Sequence, residues 1–479
     1  MDLTPEQLLN GIRNSIQQGV PDTGIDILRQ LLSLPHAQTD SLGQGWEEVM
    51  ALALRLADED AALGAAHRLL DIYPNNGRYA LIFTERLSRV GRSEDALNVM
   101  GQLKAGMTPN AAIDHLLGVY SGHIGKLGEA AEYFRSALSM KEDLGDSWSN
   151  LATLGRIEAK DIPVLERLIE EKAEHALPGA AYALGEWYHS QGEHAKAWDY
   201  WTRANEASKR GQTFSIDEMI APNKGIPEAD RRIWTDKTPL QPKPPRPIFI
   251  VGPPRSGTTL TEQIISQQKN VGAMGETMLS RASTWPLGNL GPSDLEKVGA
   301  FGPPGVTWER LGAIYRHLAS NRTQEKPITT DKGAILHLFV GALARMLPNA
   351  KFVWVRRNLK DVALSAYRTN LTDGNRWRHD MRHAATYLRA FDEIMRYWQS
   401  QFPDRIFELE YERLVTSPQT NIDQLTRFLD LDPIDASKID MGASNVPTAS
   451  FAQIRSKISA KSVRGWKAYE EWIAPGFEN

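Results

Sequence analysis

The stretch from Ile248 to Gln267, IFIVGPPRSGTTLTEQIISQ, constrains this chain more than any other. Ile248 to Val251 is a short apolar, partly β-branched run, the pattern of a buried strand. Gly252, Pro253 and Pro254 end it. Leu260, Ile264 and Ile265 then repeat at helical spacing, and Thr258 or Thr259 stands where a helix cap is expected. A strand, a tight loop and a helix in this order aim backbone N–H groups and a helix N-terminus at one point, which makes an anion cradle.

Gly252 and Gly257 carry the glycine spacing of a P-loop, but Thr258 stands where a nucleoside-triphosphate loop needs lysine, with Thr259 after it. That lysine reaches the β- and γ-phosphates, so the loop suits a single phosphate group, with Arg255 as its cation. Arg255, Ser256, Gly257, Thr258 and Thr259 together exceed what a tight turn requires. PPRSGTTL after an apolar strand resembles the 5′-phosphosulfate loop of sulfotransferases that use 3′-phosphoadenosine 5′-phosphosulfate (PAPS). The Arg-Ser-Gly-Thr-Thr form is similar to that of tyrosylprotein sulfotransferases and of bacterial sulfotransferases carrying tetratricopeptide repeats.

Further segments extend the resemblance. In FVWVRRNLKDVALSAY a strand ends at Arg356-Arg357 and a helix begins near Leu359. It resembles the 3′-phosphate segment of these enzymes, which implies that Arg357 and Ser365 hold the 3′-phosphate, with Arg356 the other candidate. Arginine suits this role because its fork meets phosphate oxygens bidentately. FELEYERLV resembles the stretch after a late strand that places Tyr411 near the base, although Tyr411 is equally at home in a core. SAKSVRGWKAYEEW resembles the C-terminal segment that folds over the cofactor, which implies phosphate contacts from Ser462, Arg464 and Gly465. Its Val-Arg-Gly-Trp order departs from the Val-Gly-Arg-Trp expected of the repeat-bearing branch.

Sulfuryl transfer moves SO₃ from a phosphate leaving group to a hydroxyl. It needs a base on the acceptor, cations on the leaving oxygen and a fixed geometry. The spacing from Arg255 to Glu276 is similar to that between arginine and catalytic glutamate in tyrosylprotein sulfotransferases, which implies that Glu276, expected to be partly buried, is the base. Lys332 matches the lysine that precedes the 3′-phosphate arginine and is the second cation. Cytosolic sulfotransferases place a histidine base two residues later. Ala334 stands there in this chain, and His337 is no substitute. The resemblance implies PAPS as co-substrate and 3′,5′-adenosine bisphosphate (PAP) as product, without a metal.

The organisation of the chain agrees with this. At 479 residues it has room for two or three domains. Residues 1–210 read as helical throughout, and 34 residues separate Gly91 from Gly125, a tetratricopeptide period. Leu117-Gly118, Ala130, Phe134 and Ala137 sit at the repeat's offsets, and Leu184-Gly185, Ala197, Trp201 and Ala204 repeat them. This predicts an all-α solenoid whose concave face binds a protein or peptide, or which only packs against the second half, as a dimer surface for instance. His115, His123 and His175 read as packing or surface residues. Residues 211–246 read as a linker, with short helices around Ile216–Ile220 and Glu228–Trp234 and a proline-rich spacer. Residues 247–479 alternate short apolar runs with helices, which predicts an α/β domain with a central parallel sheet. Its candidate strands are 328–330, 352–355 and 406–409, and its candidate helices are 308–320, 334–347, 359–367, 383–401 and 418–429. Trp285–Val306, rich in Gly and Pro, reads as a loop near the acceptor.

A net charge of −4 argues against general nucleic-acid binding. The absence of cysteine excludes disulfides and thiolate chemistry and fits a reducing cytoplasm. No stretch reads as a secretory leader or a membrane span. The leading expectation is a cytoplasmic PAPS-dependent sulfotransferase acting on a hydroxyl of a protein or small molecule. A nucleotide-dependent kinase or phosphotransferase and a non-catalytic repeat scaffold are the alternatives.

Overall fold

The computed structural model describes residues 3–106, 108–171, 176–209, 213–233, 240–284, 307–333, 335–371, 374–440 and 458–478. His175, Ala334 and the expected loop 285–306 lie outside the described residues. From Pro5 to Lys209 the chain forms helices that pack mostly on their neighbours in sequence, with Gly145–Thr153 packing on Leu177–Ser190. Small residues set how closely they approach. A Cβ built on Gly118, in helix Ala111–His123, would meet the Phe134 ring of the next helix at 2.6 Å. One on Gly185, in helix Leu177–Ser190, would meet Trp201 at 2.2 Å. Gly185→Ala is therefore expected to cost about 1–3 kcal/mol through overpacking, read from chemical denaturation followed by tryptophan fluorescence.

The junction differs from its sequence reading. Ile216–Ile233 is one helix with Pro222 and Pro227 inside it, not two short pieces. It packs on helices of the second half, which hold it together despite the prolines.

The second half is built on a five-stranded parallel sheet in the order β2-β3-β1-β4-β5. The strands are β1 Arg246–Val251, β2 Val271–Glu276, β3 Ile328–Lys332, β4 Lys351–Arg356 and β5 Ile406–Glu410. All but β2 coincide with apolar runs read from the sequence. VGAMGE has glycine at positions 272 and 275, which breaks any alternation, so it carries little strand pattern of its own. Its pairing with β3 shifts register between Ala273 and Glu276, with Gly275 at φ +68°. Helices Trp308–Arg322, Leu336–Met346, Leu359–Tyr367, Met381–Gln401 and Pro418–Phe428 follow the predicted ranges to within three residues. Phe249 and Phe352 stack at 5.1 Å within the core of this layer.

The two halves are joined by buried groups rather than by a tether alone. Asn205 of the helical half donates to Tyr367 O at 2.9 Å and accepts from His379 Nδ1 at 2.7 Å. Trp198 stacks on Tyr367 at 4.7 Å and on Trp472 at 5.6 Å. The packing of the solenoid on the second half, left open by the sequence, is thus observed.

Candidate active site

The loop between β1 and helix Thr258–Ile265 takes its shape from two unusual backbone positions. Arg255 has φ +74°, and Gly257, the residue before the helix, has φ +111°. Only glycine adopts the latter without strain, and a Cβ there would meet the Tyr411 ring at 2.5 Å. The helix start thus rests on Gly257, and neither Thr258 nor Thr259 caps it.

The loop and helix Leu359–Tyr367 converge. Arg255 Nε donates to Ser365 Oγ at 3.0 Å, and Arg357 Nη1 donates to Arg255 O at 3.0 Å. Arg357 also donates to Ser462 O at 2.9 Å and lies over the Tyr411 ring at 4.5 Å. Tyr411 Oη and Ser462 Oγ are 3.1 Å apart. These groups face a cavity of about 470 Å³ lined by Arg255, Gly257–Thr259, Arg357, Ser365, Tyr411, Ser462 and Gly465.

Four predicted residues do not line it. Ser256 is fully buried in the loop. Arg464 has an exposed side chain, while its backbone N–H donates to Asp361 Oδ2 at 2.8 Å. Lys332 is buried in an ion pair with Glu262 at 3.2 Å and donates to Thr259 Oγ1 at 3.1 Å. Glu276 is opposite Lys332 at the C-terminal end of β2 and is exposed, not partly buried as expected. Arg356 turns away to Asp392 and Glu408, which leaves Arg357 as the arginine of the cavity. His337 is buried against Phe391 at 4.3 Å.

Sequence reasoning missed the opposite wall, which the helical half supplies through Ser149, Thr153, Glu186 and His189. Arg368, three residues beyond Ser365, donates Nε to Glu186 at 2.7 Å and a second N–H to its other oxygen. A third N–H lies 3.0 Å from His189 Nε2. Arg368 has no acceptor capacity, so His189 Nε2 accepts and its Nδ1–H faces Tyr469 Oη at 2.6 Å. Spacing from Ser365 could have flagged Arg368. Nothing in GEWYHS marks Glu186 or His189, because their role depends on how two distant helices meet.

The cavity is cation-rich. Burial, then the Arg357 and Arg368 guanidinium groups, lower Arg255 to about 10. Arg357 Nε is buried with no hydrogen-bond partner among the described residues. Mutually repelling guanidinium groups around a glycine cradle fit an anion with several oxygens.

Two interface histidines are held neutral. Burial, then Arg368, lowers His189 to about 4, and burial, then Arg378, lowers His379 to about 3. Unfolding restores their ordinary affinity for protons, so below about pH 6.5 the unfolded chain binds more protons and stability falls with pH. Asp331, raised by burial to about 7, acts in the opposite sense over the same range. The histidine contribution is isolated by a variant. Between about pH 6.5 and 5 the loss of stability in chemical denaturation is expected to be smaller for His189→Gln than for the parent chain.

Residues 247–435 match the model described as the Sulfotransferase family. The chain is 30% identical over 385 residues to an uncharacterized protein of Aquifex aeolicus (strain VF5), covering 74% of this chain and 48% of that one. It thus spans about half the length of that relative. It is 25% identical over 235 residues to a putative protein-tyrosine sulfotransferase of Caenorhabditis briggsae, covering 46% of this chain and 80% of that one. Among solved structures it is similar to the sulfotransferase domain of the Synechococcus PCC 7002 olefin synthase, at 19% identity and a TM-score of 0.35 over 48% of this chain and 90% of that one. The family match falls within the second half, on the residues that carry β1, the glycine loop and Arg357.

Proposed function

We propose that the protein is a PAPS-dependent sulfotransferase acting on a hydroxyl acceptor. The observation that carries this reading is the convergence of Arg255, Arg357 and Ser365 on one glycine-cradled cavity. In this reading Gly257, Thr258 and Thr259 hold the 5′-phosphosulfate with backbone N–H groups and hydroxyls. Arg357 and Ser365 hold the 3′-phosphate, and Tyr411 and Ser462 flank the nucleotide. The co-substrate supplies the sulfuryl group. Arg255 neutralises charge on the transferring group, and Lys332 polarises the phosphate side through Thr259. Glu276, on the carboxyl edge of the sheet, takes the acceptor's proton. Residues 1–210 are the tetratricopeptide-like domain, 211–246 the connection and 247–479 the transferase domain.

The test of the reading is thermal stabilisation by PAP but not by ATP–Mg, together with transfer of ³⁵S from PAPS to an acceptor. Stabilisation by ATP–Mg alone would favour a phosphotransferase instead. The 3′-phosphate assignment has its own check. Arg357→Ala is expected to weaken PAP by about 2–4 kcal/mol, by analogy with other desolvated charge pairs, and to weaken adenosine 5′-monophosphate far less. Calorimetric titration with both nucleotides decides it, and an equal loss for both would contradict the assignment.

A further inference from the structure

A second cavity, of about 540 Å³, adjoins the first. One wall is helical-half residues, among them His115, Asp146, Asn150 and Gly179, and the other is Asn370, Leu371, Asn375, Arg376, Arg378 and His379. Ser149 and Asn370 line both cavities, so the two spaces meet there. Asn370 Nδ2 donates to Asp146 Oδ1 at 3.2 Å across this junction.

The chemistry of this lining is specific. Among the described residues, the side chains of Ser149, Asn150 and Asn375 make no hydrogen bond within the protein. His115 uses Nδ1 on Ser147 Oγ at 2.8 Å, which leaves Nε2 for another partner. The charged groups are mostly engaged. Arg378 donates to Tyr182 Oη at 2.5 Å and Asn205 Oδ1 at 3.2 Å, and Arg376 donates to Thr213 O at 3.1 Å. Pro178 and Leu371 are the aliphatic members of the lining.

Such walls donate and accept at many points, offer few apolar recesses and hold Arg376 and Arg378 on neutral acceptors. A peptide is recognised mainly through aromatic and aliphatic anchors in pockets, and a polyanion through several cations with donors to spare, whereas Arg378 is buried with its N–H groups used on Tyr182, Asn205 and Leu371 O. A hydroxyl both donates and accepts hydrogen bonds, as an amide side chain does, so a chain of hydroxyls matches amide-rich walls. We propose that this second cavity binds a neutral saccharide, which is the body of the acceptor. One of its hydroxyls then reaches past Ser149 and Asn370 toward Arg255. The inference rests on the sulfotransferase reading for the step itself. There the saccharide oxygen forms a bond to sulfur, the sulfur–oxygen bond to the 5′-phosphate breaks, and the hydroxyl proton passes to the base.

The experiment uses the labelled full chain on an array of neutral oligosaccharides and tyrosine-bearing peptides, read with and without PAP. Neutral oligosaccharides are expected to be bound. Binding should weaken by about tenfold or more in the Asn150→Ala/Asn375→Ala variant, as two lost hydrogen bonds imply, with PAP affinity and Tm unchanged. Binding of peptides alone, binding of no probe, or saccharide binding indifferent to the variant would overturn the proposal. PAP affinity is measured separately by calorimetry. Normal PAP binding without saccharide binding sinks this inference alone. Saccharide binding that the variant weakens, in a chain that fails to bind PAP, supports the site and sinks the sulfotransferase reading.

Discussion

Glu276→Gln is expected to reduce turnover on the order of 10²–10⁴-fold, the usual contribution of a general base, with PAP affinity near that of the parent. Glutamine keeps the size and most hydrogen bonds of glutamate but cannot take a proton. A carboxylate offers a phosphate no attraction, so its loss should not weaken the nucleotide. Glu276 stands at the end of β2, opposite Lys332 and exposed, on the edge of the sheet where ligands of parallel α/β folds bind. The measurement is ³⁵S transfer at saturating PAPS alongside calorimetry with PAP. Near-normal turnover would remove Glu276 as the base. Attention would then move to the carboxylates lining the cavity, Glu186 and Asp361. Of these, Asp361 already accepts from the backbone N–H groups of Arg464 and Trp466.

Lys332→Ala is expected to destabilise the fold by about 3–5 kcal/mol, the usual result of removing one partner of a buried ion pair. Lys332 and Glu262 have side chains only 3% and 7% exposed. The other Glu262 oxygen accepts from Gly275 N at 3.0 Å and Thr330 Oγ1 at 2.9 Å. Removing the ammonium leaves a carboxylate tied to two neutral donors in a buried site. Turnover should fall as well, because Lys332 donates to Thr259, which lines the cavity. Chemical denaturation reads the first effect and ³⁵S transfer the second. Adding Glu262→Gln should restore much of the stability and none of the turnover. Unchanged stability in the single variant would mean that the pair adds nothing net to the fold.

Local patterns made most of the second half legible. Apolar runs located β1, β3, β4 and β5, and the RSGTT and RRNLKDVALS segments located Arg255, Arg357 and Ser365, which do meet at one cavity. Strand β2 escaped because its glycines carry no alternation and its place is set by pairing with β3. The helix Ile216–Ile233 escaped because Pro222 and Pro227 read as breaks, whereas tertiary packing holds it continuous. The helical wall of the cavity was illegible for a different reason. Glu186 and Arg368 are far apart in sequence, and no local rule records which faces of the two halves meet.

The clasp of Glu186 and His189 on Arg368 bears on how such a chain can change over generations. Exchange of whole domains between relatives is a common route to new specificity, and it works when the junction is a flexible tether. Here a graft of a foreign helical array would leave the Arg368 guanidinium half-buried beside two other arginines without its carboxylate. A buried charge without its partner is strongly destabilising. The two halves are therefore coupled at positions 186, 189 and 368, where a change in one half calls for a compensating change in the other. A productive chimera would have to carry that trio across the cut as a single unit.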